Sequence, residues 1–93
     1  MSKQRFQSVW DAIEDTPQMA ASMRARSELV VELTELIKKR GMTQAEAAKL
    51  FGVTQPRVSD LMRGKLELFS VDALIDMAAV AGLAPQVKIK KAA

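Results

Sequence analysis

The chemistry open to this chain is concentrated in residues 43–65, which read TQAEAAKLFGVTQPRVSDLMRGK. Gln55, Arg57, Ser59 and Asp60 stand close together near its middle. Such side chains can read the edges of nucleic-acid bases. A Gln amide pairs bidentately with adenine, an Arg fork with guanine O6 and N7, and a carboxylate accepts from cytosine N4. Around them lie Thr43, Gln44, Thr54, Arg63 and Lys65, whose hydroxyl, amide and cationic groups suit phosphate oxygens. The rest of the composition narrows the options. The chain has no His, no Cys and no Tyr among its 93 residues. It therefore has few means for nucleophilic or general-base chemistry at neutral pH, and no Cys or His set for a metal or a disulfide. No enzyme activity, cofactor or metal site is expected.

Those polar groups need elements to hold them. Thr43 can cap a helix through its hydroxyl, with Glu46 at the capping-box distance. The helix Gln44–Phe51 consists of good helix formers, three of them alanines. Gly52 ends it, because a left-handed C′ position costs glycine least. After Val53, Thr54 caps a second helix, Gln55–Arg63. Pro56 occupies its first turn, where a missing N–H forfeits nothing, so the Thr54 hydroxyl must take the N–H of Arg57. Val58, Leu61 and Met62 fall at i, i+3 and i+4 and form the inner stripe. Pro56, Ser59, Asp60 and Arg63 point the other way, and Gln55 and Arg57 flank that face. Gly64 can close the helix. Ala47, Ala48, Phe51, Val53, Val58 and Leu61 are apolar where the two helices must lock. An ordinary hairpin in a core shares this periodicity. The added small residue, turn glycine, two N-caps and polar tip favour a helix-turn-helix laid in a DNA major groove.

The segment resembles the helix-turn-helix of the Cro/C1-type (XRE) repressor family. The matching residues are the TQAE opening, the FGVTQ turn and RVSDLMRGK with its trailing Gly-Lys. With the neighbouring helices, the resemblance covers about residues 27–83. In that family the Thr-Gln position opening the second helix reads bases, a role the resemblance carries onto Gln55. It likewise gives phosphate contacts to Gln44 and to the basic residues Arg63 and Lys65. Pro56 departs from the polar residue of many relatives, so a base contact from position 56 would be apolar. FQSVWDAIEDTP, MRARSEL and FSVDALIDM, taken with the motif, resemble short HigA-like antitoxins. That resemblance implies a small toxin protein as partner and autorepression of a shared operon. A stand-alone phage- or host-type repressor is the alternative.

Two residues keep more than one reading. Arg57 can meet a guanine or a phosphate. Asp60 is unfavourable near DNA unless it accepts from cytosine or pairs with Arg57 or Arg63, each three positions away.

Charge placement points the same way. The net charge is only +3. Residues 38–65 nevertheless hold Lys38, Lys39, Arg40, Lys49, Arg57, Arg63 and Lys65 against only Glu46 and Asp60. Residues 66–82 carry Glu67, Asp72 and Asp76 with no base. A positive field centred on the motif releases counterions from DNA, so binding should weaken steeply with salt.

The remaining chain reads as support. Ninety-three residues with 48% hydrophobic content make one small domain. No apolar run approaches a membrane span and the start is too polar for a signal peptide, so a cytoplasmic protein is expected. Phe6, Val9, Trp10 and Ile13 form a short amphipathic pattern, with Trp10 either core or an anchor for a partner. Thr16 and Pro17 start a helix over about 17–25. Ser27 caps a long helix to Arg40, with Leu29, Val30, Leu33, Leu36 and Ile37 inward. Leu66–Phe69 is a loop, and Ser70 caps a helix over Val71–Ala81. Val87 and Ile89 alternate with Lys88 and Lys90 as one short strand in need of a partner. The expected architecture is an all-α, five-helix fold with a short N-terminal amphipathic helix and a C-terminal strand: an arm and helix over 1–26, the helix-turn-helix DNA-binding domain over 27–83 and a tail over 84–93. It should work as a homodimer on an inverted-repeat operator in duplex DNA, placing two reading helices about one DNA turn (~34 Å) apart.

Overall fold

The computed structural model describes residues 16–91. Four α-helices run in the order α1 (Pro17–Lys39), α2 (Gln44–Phe51), α3 (Gln55–Met62) and α4 (Val71–Val80), with a 3-10 turn at Leu66–Leu68 between the last two. Each start is set by a side chain. Thr16 Oγ1 accepts the Met19 N–H at 3.1 Å, with Pro17 next in line, and Ser70 Oγ accepts the Ala73 N–H at 3.0 Å. All four ends turn on a glycine of positive φ.

Two expectations change. The two helices read at about 17–25 and Ser27–Arg40 are one continuous helix, so four α-helices stand among the described residues, not five. Ser27 is an interior residue of α1. A serine inside a helix costs only about 0.5 kcal/mol relative to alanine, and no Gly or Pro lies between Gln18 and Arg40 to break the run. The strand read at Val87–Lys90 is not formed. Alternation supplies a strand with two faces but not with a ladder, and every described element is helical. Val87 and Ile89 are 75% and 95% exposed. The amphipathic pattern of Phe6–Ile13 lies outside the described residues.

One core unites the helices. Val30, Leu33 and Ile37 come from α1, Ala47, Ala48 and Phe51 from α2, Val58 and Leu61 from α3, and Leu74, Met77 and Ala78 from α4. Phe69, from the connection read only as a loop, completes it. A side chain such as Leu61 or Leu74, wholly buried, contributes about 1.5–3 kcal/mol. α1 lies against α4, α3 and the 3-10 turn, while α2 packs on α3 and α4. The pair α2–α3 is thus backed by both outer helices.

Gly52 joins that pair at φ 70°. A Cβ there would sit 3.5 Å from Val80 Cγ1, an ordinary contact. The cost of Gly52→Ala is therefore conformational, about 1 kcal/mol, and it should lower the thermal midpoint by about 4–8 °C. An unchanged midpoint in a calorimetric scan would show that the turn relaxes to another conformation.

Candidate nucleic-acid interface

The candidate interface comprises two capped helix starts and one outer helix face. At the first start, Thr43 Oγ1 accepts the Glu46 N–H at 3.1 Å and Glu46 Oε1 accepts the Thr43 N–H at 2.9 Å, a complete capping box. Thr43 and Gln44 are exposed there. Lys38, Lys39 and Arg40, at the end of α1, lead directly into this start and are also exposed. At the second start, Thr54 Oγ1 accepts the Arg57 N–H at 3.4 Å, as the proline at position 56 requires. Both threonine hydroxyls spend an acceptor on their caps and keep an O–H donor, the half that a phosphate oxygen needs.

Between the two helices the Val53 N–H closes back on the Ala48 carbonyl at 3.0 Å. This bond and the left-handed Gly52 fix the turn. Beyond it, Val58 and Leu61 are wholly buried and Met62 is half-buried against the same core, which settles the rotation of α3 about its axis. Gln55, Pro56 and Arg63 are consequently exposed, with Ser59 and Asp60 partly so. Thr43, Gln44, Thr54, Gln55 and Arg63 are thus exposed, Ser59, Asp60 and Lys65 are partly so, and the Arg57 guanidinium is engaged within the protein.

Arg57 is held sideways. Its Nη1 donates to the Leu68 carbonyl at 2.8 Å, and its guanidinium carbon lies 4.2 Å from the centre of the Phe69 ring. Asp60 also finds a partner other than the two arginines considered for it. Lys65 Nζ stands 4.0 Å from Asp60 Oδ1. Gly64, at φ 69°, folds the chain back so that the Lys65 N–H reaches the Asp60 carbonyl at 3.2 Å. At that separation, with both side chains partly in water, the pair is a weak one. Pattern reading missed Leu68 and Phe69 as parts of this site. A carbonyl acceptor eleven residues away has no sequence signal.

Two short helices, each capped at its start, joined through a left-handed glycine and showing one polar face, constitute a helix-turn-helix. A helix-turn-helix domain family matches residues 12–90, most of the chain. A solved structure described as an XRE family transcriptional regulator superposes with a TM-score of 0.71 at 32% identity, over 78% of this chain and 82% of that one. No curated protein matches the sequence. The chain belongs to the XRE family of helix-turn-helix proteins. No helix among the described residues is long and apolar enough to cross a membrane.

Proposed function

We propose that this protein is a cytoplasmic, sequence-specific DNA-binding transcriptional regulator, a repressor acting as a homodimer on an inverted-repeat operator. One observation carries the reading. The helix starts at Thr43–Gln44 and Thr54–Gln55 are exposed and polar, as in part is the outer face of α3, while the opposite sides of α2 and α3 are buried in the apolar core. α3 enters the major groove with Gln55 foremost and with Ser59 and Asp60 behind it. Thr43, Gln44, Thr54, Arg63 and Lys65 hold phosphates on either side, and these positioning contacts fix the register. A relative described as a transcriptional regulator supports the regulatory role. A helix of eight residues spans few base pairs, so pairing of two copies supplies the rest of the specificity.

A mobility-shift titration with the protein's own upstream DNA tests this reading. Binding that prefers the upstream duplex over a scrambled one is expected, and equal binding to both would remove the sequence-specific role. Lys65→Ala should weaken binding to all duplexes alike and reduce the salt slope by about one. A slope equal to that of the parent protein would take Lys65 out of the phosphate contacts.

The finer reading is an antitoxin. The similarity of the FQSVWDAIEDTP, MRARSEL and FSVDALIDM segments to short HigA-like antitoxins supports it. Co-expression with the product of the neighbouring gene should yield a stable complex that still binds the upstream DNA. A neighbour product that never co-purifies would favour the stand-alone repressor.

A further inference from the structure

We infer that Arg57 is a positioning residue that sets the angle at which Gln55 meets the bases, and that it does not itself touch DNA; this rests on the DNA-binding reading above. At 3.6 residues per turn, Arg57 lies about 160° around α3 from Gln55, on the side that faces the 3-10 turn. There its guanidinium is engaged twice, edge-on by the Leu68 carbonyl at 2.8 Å and face-on by the Phe69 ring at 4.2 Å. The anchor is firm. Phe69 is 2% exposed, and its N–H is bonded to the Leu66 carbonyl at 3.1 Å. The turn is also held from behind. Arg26 of α1 donates from Nη1 to the Leu66 carbonyl at 3.4 Å and from Nη2 to Ser22 Oγ at 2.9 Å. Two arginines thus grip successive parts of one short turn, one from the reading helix and one from the longest helix of the domain.

The tip of α3 needs such a brace. Its buried side chains, Val58 and Leu61, begin only at the fourth of its eight residues. Ahead of them Gln55 and Pro56 are exposed and Arg57 is half-buried, and the Thr54 cap is a long 3.4 Å bond. A bidentate pairing with a base tolerates errors of only about 0.5 Å and 10–20°. The Arg57 clamp is the one side-chain bond that fastens this tip to another element among the described residues. Its planar fork and flat stacking face are properties of Arg that a lysine of equal charge does not reproduce.

The experiment uses Arg57→Lys, Arg57→Ala and Phe69→Leu in the full chain. Each variant is titrated with the upstream duplex, with single base-pair replacements of it and with a scrambled duplex, across a range of salt. For Arg57→Lys, preference at the base pairs sensitive to Gln55→Ala should fall about tenfold. Scrambled-duplex affinity and the salt slope should match the parent protein. Phe69→Leu, which removes the stacking face, should give the same profile at a temperature where its thermal unfolding curve shows the variant folded. Two results overturn the inference. One is a parental profile for Arg57→Lys with a slope reduced by about one for Arg57→Ala, which marks a phosphate contact. The other is loss of preference at a base pair that Gln55→Ala leaves untouched, which marks Arg57 as a reader. If the parent protein itself shows no preference for any duplex, the DNA-binding reading fails first, and that is seen before any variant is compared.

Discussion

Phe51→Ala is expected to destabilise the protein by about 3–5 kcal/mol and to abolish DNA binding near physiological temperature. Phe51 is the last residue of α2 and is 1% exposed. It stands immediately before the Gly52 turn, in the cluster that joins α2 to α1, α3 and α4. Removing the ring loses its transfer free energy and leaves a cavity at the point where α2 and α3 diverge. Domains of this kind have only about 5–15 kcal/mol to lose in total. Chemical denaturation measures the effect. Ile89→Ala is the control, since a side chain 95% exposed should change stability by less than about 0.5 kcal/mol. A Phe51→Ala loss below about 1 kcal/mol would mean that the core described around it does not form.

Gln55→Ala should act in the opposite manner, leaving the fold intact and removing about 1–3 kcal/mol of discrimination at one or two base pairs. Gln55 is the first residue of α3, is exposed, and its amide has no hydrogen-bond partner among the described residues. Alanine is also a better helix former there. A thermal midpoint like that of the parent protein would therefore accompany a flattened preference. Mobility shifts against single base-pair replacements resolve the two. Equal losses on every duplex would mean that Gln55 contacts backbone, and no loss would mean that another residue reads.

Much of this was legible from residue types because the relevant physics is local. A cap needs only a hydroxyl and an N–H three residues away, and Thr16, Thr43, Thr54 and Ser70 all cap as read. The apolar stripes of α1 and α3 follow from helical period, and Val30, Leu33 and Ile37 in the first and Val58 and Leu61 in the second are buried. Ser27 misled because the same hydroxyl that favours a cap is tolerated within a helix, and tertiary packing through Arg26 and the 3-10 turn holds the run together. The tail misled because alternation names two faces without naming a partner. The partners of Arg57 and Asp60 depend on where the chain returns after Gly64, and that is set by the packing of Phe69. Neither can be read from periodicity. The surface expected to face DNA was thus legible as a set of residues, whereas the division of labour within it required the fold.

The central claim is that the Gln55-tipped helix reads duplex DNA, and salt-dependent binding to the upstream and scrambled duplexes tests it most directly. The account predicts a linear fall of log affinity with log salt for both duplexes, with the upstream duplex bound at least about a thousandfold more tightly at physiological salt. Equal affinities, or binding indifferent to salt, would contradict it.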